Sequence, residues 1–245
     1  MPSANEESHY QKAIEYDTLS HYYKYIDSER SIKHYYQHLH QMNLLFNHDK
    51  EYAQVTYGKV RFFHAFPSSQ SIDLYLNGIR VFREIPYKSV SKYLTLPEGK
   101  YQIDLYPSGR LHTVLISKKV QIKEGTPYTL IAVGNTKTST LFAMEENHVL
   151  PVKETKLNCV NLNPESAGID IAVTGGDTIY SNLAYTKPSP YLGLTPMTIE
   201  FLVKCSTSKE LILDPFSVKL HADELYTMGI ISSGNTHSHP EIVFI

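Results

Sequence analysis

From Val60 onward, hydrophobic and polar positions alternate with a period of two, the signature of strands that bury one face. Val60, Phe62 and His64 alternate with Arg61, Phe63 and Ala65, and Ile72, Leu74 and Leu76 alternate with Asp73, Tyr75 and Asn77. Asn77-Gly78 then supplies the pair that a tight hairpin favours, because its central residues take positive φ. Ile79 to Phe82 returns as the partner strand. Further strands are predicted at Val90 to Leu94, Gly99 to Tyr106, Thr113 to Ile122 and Tyr128 to Val133, with turn chemistry at Pro97-Glu98-Gly99, Pro107-Ser108-Gly109 and Glu124-Gly125-Thr126-Pro127. About seven short strands with a turn roughly every ten residues predict an antiparallel β-sandwich.

The same pattern then recurs. Pro67 aligns with Pro164, Ile72-Asp73 with Ile169-Asp170 and Gly78 with Gly175, all 97 residues apart, while Tyr93 aligns with Tyr191 and Tyr128 with Tyr226 at 98. So constant an offset predicts two copies of one domain, at a period far too long for a solenoid unit. Leu150-Pro151-Val152-Lys153-Glu154 makes a short linker, so a fixed tandem arrangement is expected. The copies run over residues 53–150 and 151–245. The second has Asn161 where the first has His64, and Thr195-Pro196-Met197 where the first has its Pro-Glu-Gly turn.

Residues 1–52 read differently, with no glycine and no proline after Pro2. Ile32, Tyr35, Tyr36, Leu39, Met42 and Leu45-Phe46 recur at three-and-four spacing behind Asp27-Ser28-Glu29-Arg30, which offers a cap and early acidic charge. Helices are therefore predicted over Glu29–Asn47 and Glu6–Tyr25, joined as an antiparallel hairpin. Eight of the nineteen tyrosines and six of the twelve histidines fall in this segment. Such side chains join an apolar body to a polar tip, which suits an interface. Tyr35, Tyr36, Leu39 and Met42 are the candidate interaction surface, either against a partner or against the chain's own sandwiches.

Composition removes several classes of function. A chain of 245 residues with 42% hydrophobic content can bury a substantial core, and a net charge of −2 makes no electrostatic case for nucleic acid. No apolar run approaches a membrane span, and the N-terminus lacks the cationic and apolar regions of a secretory signal. Synthesis in the cytosol is the resulting expectation. Cys159 and Cys205 have no cysteine counterparts in the first copy, which excludes a shared disulfide framework, and each lies in or at the end of a predicted strand, so they read as buried, inert thiols rather than a disulfide or a reactive site.

The run VRFFHAFPSSQSIDLYLNGIRVF, with SKYLTLPEGKYQIDLYPSG and PYTLIAVG after it, resembles the DUF4397 family of bacterial domains. The shared elements fall on His64-Ala65-Phe66-Pro67, Ile72-Asp73-Leu74, Asn77-Gly78, Leu96-Pro97-Glu98-Gly99 and Tyr128 to Gly134, closely in the first copy and loosely in the second. The resemblance implies an immunoglobulin-like sandwich without assigned catalytic residues, often in envelope or secreted proteins. The expected fold is thus mainly β: two tandem antiparallel immunoglobulin-like sandwiches behind a helical segment. His64, Pro67, Asp73 and Gly78, with Pro164, Asp170 and Gly175, form the structural repeat motif.

Candidate chemistry is sparse. A His64–Asp73 pair resembles a general base with its orienting group, but a nucleophile or metal is also required, and no nucleophile elbow, zinc pair, phosphate loop or dinucleotide fingerprint occurs. Because Asp170 persists beside Asn161, both aspartates are expected to accept hydrogen bonds from the loop after the proline. His34 and His38 share a helix face, and His237 and His239 alternate in an extended stretch, yet neither pair brings the further ligands that a zinc site needs. No cofactor, metal or catalytic residue is assigned. The preferred reading is a non-enzymatic structural or interaction protein that assembles through its helices, by self-association or with a protein partner, in a spore coat or at the cell surface. The alternatives are a glycan or cell-wall polymer module using Tyr75, Tyr93 and Tyr106, and a hydrolase using His64.

Overall fold

The computed structural model describes residues 4–46, 56–67, 71–134, 138–232 and 240–245. Two helices come first, α1 (Ala4–Tyr23) and α2 (Ser28–Phe46). Asp27 caps α2 as its sequence position predicts, its carboxylate accepting from the Arg30 amide at 3.1 Å. The two helices pack as a hairpin with little aliphatic content at the seam. Ala13, Ser20, Ser31 and Ile32 are buried there, and Ser31 Oγ donates to the Ser20 carbonyl at 2.9 Å. The small residues let the backbones approach, and rings fill the flanks. His34 lies between Tyr16 and Tyr23, nearly parallel to both at centroid distances of 6.0 and 5.6 Å.

Sixteen strands follow among the described residues: β1 (Tyr57–His64), β2 (Ile72–Leu76), β3 (Ile79–Ile85), β4 (Leu94–Pro97), β5 (Gly99–Pro107), β6 (Ile116–Ile122), β7 (Pro127–Gly134), β8 (Ser139–Glu145), β9 (Thr155–Leu162), β10 (Ile169–Val173), β11 (Thr178–Leu183), β12 (Leu192–Leu194), β13 (Thr198–Cys205), β14 (Phe216–Lys219), β15 (Leu225–Ile231) and β16 (Glu241–Phe244). They form four sheets, ordered β3-β2-β5-β6, β4-β1-β7-β8, β11-β10-β13-β14 and β12-β9-β15-β16. Adding eight to each number of the first two orders gives the last two, so one strand order is used twice. The β9–β15 ladder runs parallel, because the chain leaves that sheet and re-enters it between them without the reversal a hairpin imposes. In this respect the expectation of antiparallel sheets is corrected.

Local differences from the sequence reading have physical causes. Val90 makes only an isolated bridge to Phe63, and the strand predicted over Val90–Leu94 instead begins at Leu94. The sequence pattern missed β8, whose buried residues Leu141 and Met144 stand three apart rather than two. Phe63 and Ala65, expected on the polar side of β1, are buried as well.

The chain divides into two compact units. One comprises Met1–Arg61, Ser71–Ile85 and Ser91–Tyr128; the other comprises Phe62–Gln70, Pro86–Val90 and Thr129–Ile245. Within the second unit, Phe63, Ala65, Ile131, Val133 and Met144 share one apolar cluster with Val160, Leu162 and Ile231. This cluster is why the end of β1 is buried on both faces. A second cluster fills the space between the two sheets of β9–β16, with Phe201, Val203, Ile171, Cys159 and Met228 fully enclosed.

Phe201→Ala removes a ring from the middle of that core, where close packing prevents collapse of the hole. A loss of about 3–5 kcal/mol is expected, read as a lower urea midpoint at unchanged slope. Leu111→Ala, at an exposed loop position, should change stability by less than about 0.5 kcal/mol.

Candidate functional site

Each half of the chain is tied by one buried aspartate, and the two ties are built alike. Asp73 Oδ1 accepts from the Glu84 amide and from Ser108 Oγ, both at 2.8 Å, while Arg80 reaches Oδ2 at 3.4 Å. Asp170 Oδ1 accepts from the Asn182 amide at 2.8 Å and from Ser206 Oγ at 2.7 Å, and Lys209 Nζ reaches Oδ2 at 2.7 Å. Glu84 and Asn182 both have φ of 52°, and both ladders shift register beside the aspartate. A bulge leaves an amide outside the ladder, and the carboxylate satisfies it. The donors are thus the bulged neighbouring strand and the turn after β5 or β13, not the loop after the proline. Ser108 and Ser206 went unread, although they stand 98 residues apart in the same repeat alignment.

The rest of the repeat motif serves the backbone. Asn77 and Gly78 take φ of 48° and 78°, closing the β2–β3 hairpin with the predicted pair, and Gly175 takes 71°. Pro67 and Pro164 are half-buried and precede β2 and β10. Asn161, the counterpart of His64, donates to the Leu183 carbonyl and accepts from the Asn163 amide. His64 itself is fully buried, its ring 5.9 Å from that of Tyr87 and 6.5 Å from that of Phe66.

The helical residues divide between an inner and an outer role. Tyr36 faces the chain's own sandwich: its ring lies 5.4 Å from that of Tyr101, and its hydroxyl accepts from Asn77 Nδ2 at 3.2 Å. Ser28 Oγ donates to the Val81 carbonyl at 3.4 Å, and Glu29 Oε1 accepts from the Thr95 amide at 3.3 Å. Helix α2 therefore sits on β3 and β4 of its own unit. Tyr35 and Leu39 are exposed and Met42 is half-buried. His34 and His38 are occupied inside the hairpin, His34 Nδ1 with Gln37 Oε1 and His38 Nδ1 donating to the Ala13 carbonyl, each at 2.9 Å. Among the described residues no group of three or more His, Cys, Asp or Glu side chains is placed to hold a metal ion. His237 and His239 lie outside the described residues.

The outward face of the β3-β2-β5-β6 sheet carries the remaining aromatic candidates. Tyr75 and Tyr106 meet at 75° with centroids 5.2 Å apart, both half-exposed. Beside them Ser117 Oγ donates to Asp104 Oδ1 at 2.6 Å, and Gln102 Nε2 reaches Asp104 Oδ1 at 3.0 Å and Ser117 Oγ at 2.7 Å. Tyr93 is not part of this group; its ring is covered by the Arg61 guanidinium at 5.0 Å.

The cysteines differ from the expectation of two inert thiols. Cys159 is enclosed in the core, and burial pushes its thiol up. Cys205 is half-exposed at the end of β13, where hydrogen bonds from the Ser208 backbone and the Thr207 hydroxyl hold it down at about 6.

The family model described as "Domain of unknown function (DUF4397)" matches residues 58–172, in support of the resemblance drawn from the first copy. No curated protein matches the chain. Among solved structures, the TIE protein of Bacillus anthracis is 12% identical with a TM-score of 0.24, over 72% of this chain and 34% of its own, so this chain spans about a third of its length. A CBM26-family module from Eubacterium rectale Amy13K, solved with maltoheptaose, is 10% identical with a TM-score of 0.24, over 77% and 96%. The fimbrial anchor protein Mfa2 of Porphyromonas gingivalis is 12% identical with a TM-score of 0.21, over 78% and 96%. Likenesses at these TM-scores carry no argument about function.

The Lys209 ammonium, the Asn182 amide and Ser206 together hold the Asp170 carboxyl down at about 2, against about 3.9 in an unfolded chain. A depressed carboxylate stabilises the fold above the unfolded value, and that contribution is lost as the pH falls from about 4 to about 2. Melting temperatures through this window should fall in the wild type and fall less in Asp170→Asn, which starts lower. A further expectation is that iodoacetamide at neutral pH modifies Cys205 in the native protein and reaches Cys159 only after unfolding, as read by peptide mass mapping.

Proposed function

We propose that this is a non-enzymatic interaction protein, in which a helical segment (1–52) and two sandwich repeats (53–150 and 151–245) assemble with further copies through the outer face of α1. The second repeat is read as a divergent copy of the DUF4397-type domain. Support comes from the shared strand order, the 97-residue offset and the duplicated aspartate ties. The observation that carries the assembly reading is the division of labour in the hairpin. Helix α2 packs on β3 and β4 of its own unit and leaves Tyr35 and Leu39 exposed, whereas α1 leaves Tyr10, Ile14 and Tyr22 more exposed still, and Tyr25 and Ile26 are exposed in the turn after it. Tyr22 is 63% exposed and Tyr25 88%, which is uncommon for such a concentration of large side chains on one short surface. Pairing with the same face of a second copy covers it, by the self-complementary geometry usual in dimers.

The enzymatic alternative loses ground to the same geometry. His64 is sealed between aromatic rings, and both oxygens of Asp73 are engaged by Glu84, Ser108 and Arg80. The setting implied by the family resemblance is the cell envelope or surface; no structural feature favours a spore coat in particular.

Light scattering on a size-exclusion column tests the reading. The full chain should associate as its concentration rises, and a Tyr10→Ser, Ile14→Ser, Tyr22→Ser variant should remain monomeric with an unchanged melting temperature. A wild type that stays monomeric at every concentration, or a variant that associates equally well, contradicts it.

A further inference from the structure

We infer that the outward face of the β3-β2-β5-β6 sheet binds an uncharged polysaccharide, with Tyr75 and Tyr106 as its stacking groups. A pyranose ring has an apolar C–H face and a rim of hydroxyls, so its recognition takes an aromatic surface beside paired donors and acceptors. The register brings both to one place. Tyr75 stands directly opposite Arg80 on β3 and Asp104 on β5, Asp104 stands opposite Ser117 on β6, and Tyr106 stands opposite Asp73. The two rings meet at 75° and make a corner in which a sugar stacked on one is bounded by the other. Asp104, Gln102 and Ser117 are already linked to one another, which fixes their orientation before any ligand arrives.

Charge selects the kind of polymer. Arg80 is paired with the buried Asp73 at 3.4 Å, and the Asp104 carboxylate accepts from Ser117 and Gln102, with Lys119 opposite Gln102 in the same ladder. With one Arg–Asp pair and one further charge of each sign on this face, Asp104 and Lys119, and Lys100 a further row beyond the rings, the surface around the tyrosines has no strong charge of one sign and offers hydrogen bonds rather than a field. An open sheet face also suits a chain lying lengthwise better than a single small molecule, which needs a concave site.

The second sandwich shows that the fold does not require this surface. At the same register it places Ala172, Leu202 and Lys204 where the first has Tyr75, Asp104 and Tyr106, and builds the same strand order from them. The aromatic pair and its polar neighbour are therefore an addition to the first copy, not a packing need of the architecture. This site is independent of α1, so it stands or falls separately from the assembly reading.

Native affinity gels containing soluble starch, laminarin or xyloglucan, with polygalacturonate as the acidic comparison, test the inference on the full chain. At least one neutral polymer should retard the wild type. Tyr106→Ala and Tyr75→Ala should each weaken that retardation at least tenfold, Tyr106→Phe should retain it, and the α1 triple variant should bind as the wild type does. Melting curves identify any variant that fails to fold, for which Asp104→Ala supplies the replacement and should weaken binding in the same way. Retardation by none of the neutral polymers, by polygalacturonate alone, or to the same degree in the folded Tyr75 and Asp104 variants overturns it.

Discussion

One buried aspartate in each sandwich, Asp73 or Asp170, ties the bulge on which its edge strand turns. Without Asp73 the Glu84 amide loses its acceptor in a half-buried position, and an unmade bond there costs more than the bond itself gains. The position of β3 follows from that bond, and β3 in turn supplies two things. Its Val81 carbonyl receives Ser28 at the start of α2, and its Arg80 stands opposite Tyr75 on the outward face. The seat of the helical hairpin and the aromatic face therefore depend on the same tie. In the second sandwich Asp170 holds β11 in the same way, and its outward face has Ala172 in place of the ring.

Legibility of the sequence followed the physics of each element. Period-two alternation located β1, β2, β5 and β7, and Asn77-Gly78 located a hairpin, because both signals arise within a few residues of chain. The offset of 97 residues foretold the doubled strand order for the same reason, since it compares local patterns. What long-range packing determines was not readable. Phe63 and Ala65 look like the polar side of a half-buried strand until Val160, Leu162 and Ile231 cover them. β8 has its buried residues three apart, and the β9–β15 ladder is parallel because of a crossover that no short window contains. Cys205 looked as inert as Cys159, because the donors at Thr207 and Ser208 act only in the folded turn.

The tyrosine and histidine enrichment of the first segment has two explanations that act together. Inside the hairpin, rings replace aliphatic side chains: His34 stacks between Tyr16 and Tyr23, and His38 bonds the Ala13 carbonyl. Amphipathic side chains of this kind can seal a thin two-helix layer whose other face is wet. Toward the sandwich, Tyr36 does the same work against Tyr101 and Asn77. Neither role accounts for the exposure of Tyr10, Tyr22 and Tyr25, and it is this remainder that motivates assembly through α1.

Hydrogen exchange of the full chain at low and high protein concentration tests the central claim most directly, because it reports which backbone becomes protected when copies meet. The account predicts added protection confined to α1 and the turn after it, with α2 and the strands unchanged. Protection that appears on exposed strand edges such as β8 or β16, or that fails to change anywhere with concentration, would contradict it.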